Sequence, residues 1–447
     1  MADILILGAT GYTGRLITRY LTQHPQRSSF TLAVAGRSQD KLDALGLDES
    51  VGVYVVNVKD WNAVDDLVKQ FKVVVNTVGP YWHTGTPVVR ACANHGVHYV
   101  DLSGETVWIY EVIFRFEYLA SKTGAIIIPS CGFDSIPSDA AVFLANKTLK
   151  TVVGPDTEIE DSVMGVKMKG GVAGGTLATM MTMIEEVPKN RLALAHRQYS
   201  LSPVLGHSAP HRHLLYKLPY SFPPVYGGIF VLAPGNRAVV QRTWGLQQYQ
   251  FLTAAKTAVP NKMLTYGPRF KYTEFMVQPN AFLAVLSSLA IAIGMFCLAV
   301  IQPLRWLVKR LMTQPGEGPS DELRSKPLDD FVTSAHPLSN RSLKDGFMEC
   351  TNITTSVVAQ GSQPTKVRTV IRGKGDPGLL LTASMLGECA LALLLDRERL
   401  PALAHHGGIL TPMSALGDVL IERLRDTGDF EFESEIMVED EEGKKTR

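Results

Sequence analysis

Disulfide chemistry is all but missing from this chain: its five cysteines in 447 residues, Cys92, Cys131, Cys297, Cys350 and Cys389, lie far apart. With no Cys-x-x-Cys pair, neither a disulfide framework nor a zinc site is expected, and a reduced, intracellular compartment fits best. Net charge is nearly absent as well. Forty-four lysines and arginines against 43 acids leave +1, which provides no basic field for nucleic acid. A basic n-region and cleavage site are lacking, because Met1-Ala2-Asp3 leads at once into an apolar strand; no secretory signal is expected. Internal repeats are not evident. His207, His211 and His213 stand at spacings that could meet a metal, but no carboxylate or cysteine is placed to complete a site, so they are expected as surface residues and no metal is assigned.

What the chain does have comes at its beginning. An apolar stretch, Ile4 to Leu7, runs into Gly8-Ala9-Thr10-Gly11-Tyr12-Thr13-Gly14 and then into helix-forming residues, Arg15 to Leu21. A dinucleotide needs this order of events. The first glycine allows the tight turn, the second lets backbone approach a pyrophosphate, and the third lets helix pack on strand. Free amides and the helix dipole then face the phosphates. A second strand, Thr31 to Ala35, ends in Gly36-Arg37-Ser38, where an NAD-preferring site usually has an acid. Arg37 can instead pair with a 2′-phosphate, with Ser38 and Lys41 in support, so the site reads as built for NADP(H).

The alternation continues with strands at Gly52 to Val56 and Val73 to Val75, and a helix from Trp61 to Phe71 capped by Asp60. Further strands are expected at His98 to Asp101 and Ala125 to Ile128, and Thr86-Pro87 reads as a helix start. Asn76 to Tyr81 leaves a strand at the carboxyl edge where such sheets bind ligand, so Asn76 and Gly79 are expected beside the cofactor, together with Thr10, Tyr12 and Thr13 of the glycine loop. The pattern predicts an α/β fold, a doubly wound parallel sheet over residues 1–148. From about Thr151 the rhythm changes: a strand from Glu158 to Lys169, a glycine-rich loop, and a helix from Thr176 to Glu186 point to a second, α+β domain over 149–375. Residues 200–235 read as a long loop or lid and 315–337 as another loop. Helices follow over 376–428, then an acidic and basic tail over 429–447.

A second strong feature is apolar. Residues 281–301 carry no charge over 21 positions, and Arg305, Trp306, Lys309 and Arg310 follow. At 1.5 Å per residue such a helix is long enough for a hydrocarbon core, and the flanking residues suit headgroups. A crossing, a re-entrant or interface-lying segment, and a core helix remain open; the membrane readings share a chain held at a lipid surface. Lys444 and Lys445 near the end resemble a retrieval signal of endoplasmic-reticulum membrane proteins.

For chemistry beside the cofactor, Tyr81 and Asp101 are the proton-transfer candidates. Asp101, Ser103 and Glu105 follow a strand at the ligand-binding edge, with capping of loop amides as the competing reading. Asp134, Ser135 and Pro137 suit a helix start, and Cys131 reads as inert packing.

Taken together, LGATGYTG (7–14), GR (36–37), NTVGPY (76–81), YVDLSGE (99–105) and CGFDSIPSD (131–139) resemble the saccharopine dehydrogenase-like oxidoreductases, which include trans-acting enoyl reductases of lipid synthesis. GDPG (375–378), TASMLGECAL (382–391) and GGILTPMSALGDVLIERL (407–424) look similar too. The resemblance implies an NADP-binding Rossmann domain to which C-terminal helices return, and an inserted α+β substrate domain. It carries cofactor roles to Gly8, Gly11, Gly14, Arg37 and Gly79. It also implies association with membranes, lipid droplets or mitochondria. The apolar run sets this chain apart from enzymes of a soluble, multiply charged amino acid. The expectation is an NADPH-dependent reductase of a lipid-linked enone or carbonyl, as in glycolipid metabolism, with a lipid-like substrate and a membrane or lipid-droplet surface as partners. A non-enzymatic NADP-binding scaffold and a saccharopine-type amino-acid dehydrogenase are the alternatives. A homodimer is one option the sequence leaves open.

Overall fold

The computed structural model describes residues 2–170, 174–208, 213–254, 262–311, 343–358 and 363–437. Its first third is built from short apolar runs, buried except at the edge run 51–55, each followed by a helix. Strands β1 (Ala2–Leu7), β2 (Leu32–Gly36), β3 (Val51–Val55), β4 (Phe71–Asn76), β5 (His98–Asp101) and β6 (Ile126–Ile128) alternate with helices α1 (Tyr12–Thr22), α2 (Gln39–Asp43), α3 (Trp61–Val68), α4 (Tyr81–His95), α5 (Thr106–Thr123) and α6 (Ile136–Val152). All pairings in this sheet are parallel. The run of apolar side chains on β1, β4 and β5 follows, since helices cover both faces.

The remaining elements are β7 (Ile159–Lys169), α7 (Gly174–Glu185), α8 (Lys189–Ala195), β8 (Tyr216–Lys217), β9 (Tyr226–Gly228), α9 (Ala233–Ala254), β10 (Lys271–Gln278), α10 (Ala281–Val300), α11 (Gln302–Leu311), β11 (Phe347–Ser356), β12 (Lys366–Lys374), α12 (Thr382–Leu395), α13 (Ala402–His405), β13 (Gly408–Ile409), α14 (Pro412–Ala415), α15 (Gly417–Asp426) and β14 (Phe430–Ile436). Two seven-stranded sheets result, ordered β13-β6-β5-β4-β1-β2-β3 and β14-β12-β11-β7-β10-β9-β8. Helix α6 lies against β11, β12 and β14 and joins the two. One cluster of buried side chains therefore runs from Ile4 and Val34 through Ile136 and Phe143 to Met164 and Ile371.

After the second sheet, the chain returns to the first domain. Helix α12 packs on α1, where Gly387 leaves room for Tyr20; a Cβ there would stand 2.6 Å from the ring. Glu388 on the same helix accepts from Tyr20 Oη, lies 2.9 Å from His24 Nε2 and 2.6 Å from Arg423 Nε. Burial pushes this carboxyl up, but the His24 hydrogen bond and the Arg423 guanidinium outweigh it and hold it below the usual glutamate range.

Three expectations need correction. Helix α4 begins at Tyr81, five residues before Thr86-Pro87, because Glu105 accepts from the amides of Tyr81 and Trp82 at 2.7 Å each and caps it; Pro87 sits inside the helix. The segment 200–235 is not a structureless lid in its described part. It contributes β8 and β9, and Tyr199 Oη ties it down by donating to the carbonyls of His207 and Phe270. The acidic run at 431–436 is no tail: it forms β14, antiparallel to β12. Glu431 and Glu433 meet Lys374 and Arg372 at 2.9 Å each, while Phe430 and Phe432 turn inward.

The apolar run at 281–301 forms one long helix, as expected. Helix α10 is largely exposed, with Phe282, Ile293 and Phe296 facing outward and Ala284 and Ser288 buried. Both of its ends are held by one body. At its start, Gly228 of β9 lies so close that a Cβ would stand 2.6 Å from the Ala284 carbonyl, and Ser288 Oγ accepts from Ile229 N at 2.9 Å. Beyond its end, Arg305 donates to the carbonyls of Leu298 and Ala299, and Arg305 and Lys309 pair with Glu185 of α7. The chain then rejoins the sheet it left, as β11. By length and composition α10 is apolar enough to cross a membrane, and 11% of its most apolar stretch is buried. The second long apolar helix, at 377–395, is core packing. His211, the loop at 315–337 and the terminal lysines lie outside the described residues.

Candidate active site

The turn from β1 to α1 requires its glycines for measurable reasons. Gly8 has φ +84°, and a Cβ on it would meet Thr77 Oγ1 at 2.7 Å; one on Gly14 would stand 2.1 Å from the Gly8 carbonyl oxygen. Gly11 is the N-cap of α1 and brings no side chain to the first-turn amides. They are open to an anion. A Cβ on Gly79 would meet nothing closer than 3.7 Å, so the protein itself does not require glycine there.

These residues line one end of a cavity of about 2180 Å³. Gly8, Thr10, Gly11, Tyr12, Thr13, Gly14, Arg37, Ser38, Gly79 and Tyr81 all border it, as does Lys41. Ser38 also caps α2, its Oγ 3.4 Å from Lys41 N, which presents Arg37 and Lys41 at one rim. The cradle that a Cβ would fill, the uncapped amides and the basic rim fit the pyrophosphate and 2′-phosphate of NADP(H). The same cavity is bordered by Asp134, by Glu274 and, on α10, by Ile291, Met295 and Leu298.

Two expected site residues are not on this wall. Asn76 is buried, its amide donating to Tyr99 Oη at 3.1 Å and its carbonyl oxygen accepting from Val78 N at 3.1 Å; it shapes the loop after β4. Asp101 is buried too, and accepts from Ser103 N, Ser130 N and Tyr99 Oη at 2.9, 3.0 and 2.7 Å. Burial lifts its carboxyl to about 7, but it serves loop amides rather than the cavity. Tyr81 borders the cavity, yet its hydroxyl donates to the Asn76 carbonyl at 2.9 Å and its ring packs 5.2 Å from Trp108. Its proton is already committed.

Cys131 is buried and its thiol, raised by burial, donates to the Ile128 carbonyl. His207 bonds to the Pro268 carbonyl, and His213 packs edge-on against Tyr216. Among the described residues no three metal-ligating side chains gather.

Sequence reading missed two of the acids that border the cavity. Asp134, read as a helix-start residue, borders it with its carboxyl lifted by burial to about 6. Glu274 was not singled out at all. It sits in β10, accepting from Tyr272 Oη at 2.7 Å, Ser138 Oγ at 2.8 Å and Asn236 Nδ2 at 2.6 Å. A charged residue between Thr273 and Phe275 in a strand otherwise built for burial was the available signal.

A parallel sheet with a glycine-lined anion cradle and a basic rim, joined to a second sheet across one deep cavity, defines a two-domain, NADP-dependent oxidoreductase. Comparison with known proteins agrees. Residues 4–128 match the saccharopine dehydrogenase NADP-binding domain. Over 450 residues the chain is 33% identical to a Mycobacterium tuberculosis protein provisionally named a trans-acting enoyl reductase, covering 95% of this chain and 96% of that one. It is 31% identical over 460 residues to the trans-acting enoyl reductase of Mycobacterium bovis, with the same coverage. Among solved structures, saccharopine dehydrogenase (L-Glu forming) from Saccharomyces cerevisiae shares the fold, with TM-score 0.52 at 12% identity over 98% of this chain and 100% of that one. The chain belongs to the saccharopine dehydrogenase-like oxidoreductases, the family that includes the trans-acting enoyl reductases.

Proposed function

We propose that this protein is an NADPH-dependent reductase of a lipid-linked enone, working against a lipid surface on which α10 rests. The observation that carries the reading is the continuity of one cavity from the glycine cradle to Ile291, Met295 and Leu298, on a helix whose outer side is apolar and exposed. A polar substrate gains nothing from such a wall, whereas each buried methylene of an acyl chain contributes about 0.8 kcal/mol. Bound NADPH supplies the hydride. The chain's own residues divide the remaining work: Gly8, Gly11 and Gly14 admit the pyrophosphate, Arg37 with Ser38 and Lys41 selects the phosphorylated ribose, and Gly79 leaves room at the edge of the sheet. The names of the mycobacterial relatives support an enone as the reducible group.

Helix α11 supports the surface reading. Trp306 is exposed, with the Arg310 guanidinium 5.3 Å above its ring, an arrangement suited to the headgroup boundary. An α10 lying in the interface buries its outer face in the acyl region without crossing it. The test is NADPH oxidation with a long-chain alkyl enone, supplied in phosphatidylcholine vesicles or in detergent-free buffer as a short-chain analogue. Turnover of the vesicle-borne enone is expected. NADPH binding without oxidation of either enone would turn the assignment toward a cofactor-binding scaffold, and turnover of saccharopine instead would turn it toward amino-acid chemistry.

A further inference from the structure

Reduction of a conjugated enone needs a proton as well as a hydride, and the two residues that sequence pattern offers for it are engaged elsewhere. Asp101 is away from the cavity and Tyr81 Oη donates to backbone. The cavity that the glycine cradle borders is also bordered by a carboxyl on the second sheet. Glu274 projects from β10 toward the first turn of α6, where Ser138 meets it, and α6 itself starts just past the carboxyl edge of β6. Asn236 of α9 reaches it from a third element. We propose that Glu274 is the catalytic acid that protonates the substrate, a residue on the substrate domain facing the cofactor domain over the space where the two must meet. The inference rests on the enone reading above.

The step balances. The substrate's β-carbon accepts a hydride, with both its electrons, from NADPH; the carbon–carbon π pair moves into an enolate; and the Glu274 O–H bond breaks as the α-carbon–hydrogen bond forms. A saturated carbonyl compound, NADP⁺ and a Glu274 carboxylate result, and water restores the proton. Three donors hold the carboxylate that is left, so it is stabilised at the moment charge develops on it. Burial first of all, against those hydrogen bonds, lifts the acid to about 7, so it is substantially protonated at neutral pH. The charged and titratable groups facing it are Tyr272 on its own strand, Arg237 from α9 and Cys350 from β11, while α6 presents the uncharged Ser138. Asp134 and Asp161 are the competing acids, but Asp134 belongs to the cofactor domain, and no hydrogen-bond donor is found on its carboxylate among the described residues, while Asp161 faces the cation of Lys271.

Glu274→Gln keeps shape and most hydrogen bonding while removing the proton. In this variant, NADPH affinity is expected to stay within about twofold, while single-turnover reduction of a vesicle-borne long-chain alkyl enone falls about 100- to 10,000-fold, the usual contribution of a general acid. The wild-type rate should be level below pH 7 and fall about tenfold per unit above it; the residual rate of the variant should lose that limb. Independently of turnover, the difference between wild-type and variant infrared titrations should show the carbonyl stretch of one un-ionised carboxyl that disappears near pH 7, since Asp101, also lifted to about 7, contributes equally to both proteins. Wild-type-like turnover by Glu274→Gln, loss confined to Asp134→Asn, or a Glu274 already ionised at pH 5 would each overturn the proposal. A wild-type protein that binds NADPH and leaves every enone untouched removes the enone reading itself, and the acid's role with it.

Discussion

Replacing Arg37 with alanine should separate the two nicotinamide cofactors. The residue follows β2 directly and borders the cavity beside Ser38 and Lys41, at the place where an NAD site would hold the ribose with an acid. A hydrogen bond to a charged group contributes about 1.5–3 kcal/mol, and an exposed, solvent-screened rim belongs at the lower end of that range. With about 1.4 kcal/mol per decade, Arg37→Ala is expected to weaken NADPH about 10- to 30-fold. NADH lacks the 2′-phosphate and should bind both proteins alike, within about twofold. Enhancement of reduced-nicotinamide fluorescence on binding gives both constants. The NADPH difference should shrink as salt approaches 1 M, where the screening length is only about 3 Å. Equal weakening of both cofactors would mean that Arg37 supports the fold instead, and unchanged NADPH affinity would refute its assignment to the phosphate.

Other substitutions test other levels. Gly14→Ala drives a Cβ to 2.1 Å from the Gly8 carbonyl oxygen and forces α1 off β1, so a stability loss of about 1–3 kcal/mol is expected in denaturant melts, together with loss of NADPH binding. Gly11→Ala meets its nearest atom at 3.2 Å; it should melt close to wild type and still bind NADPH more weakly, and equal melting losses for the two variants would contradict the packing argument. Glu388→Ala breaks a buried cluster with His24 and Arg423 and should cost about 3 kcal/mol at neutral pH. The folded carboxyl is held below its unfolded value, so its contribution is present above about pH 4.5 and lost as pH falls through the lower, folded value; the gap between variant and wild type should narrow only there. Aspartate at both Ile293 and Phe296, on the outer side of α10, should abolish co-sedimentation with phosphatidylcholine vesicles and leave the melting temperature unchanged.

Much of the cofactor half is legible in the sequence because local and global signals coincide there. A buried strand, three glycines and a helix leave little choice of geometry, and the strand at 98–101 falls where β-branched and aromatic residues put it. The start of α4 was not legible, since its cap comes from Glu105, distant in sequence; Thr86-Pro87 carried the local signature of a start that tertiary capping overrode. For β14 the signal was there and charge obscured it. Phe430, Phe432 and Ile436 recur at even spacing, but the intervening acids read as a solvated tail until the cations of β12 supply partners. Asp101 could not be separated from a catalytic acid by pattern alone, because the loop amides that hold it include Ser130, twenty-nine residues away. Glu274 was hidden for the opposite reason: a lone acid in a strand announces neither burial nor the three donors gathered from α6, α9 and β10.

Transfer of label tests the central claim most directly. NADPH carrying deuterium at the nicotinamide C4 position is incubated with the protein and a long-chain alkyl enone in phosphatidylcholine vesicles, and the lipid is analysed by mass spectrometry. One deuterium at the β-carbon of a saturated product, made by wild type and diminished with Gly11→Ala at limiting NADPH, is the predicted result. Unlabelled enone recovered intact, from protein that binds NADPH and sits on the vesicles, would contradict it.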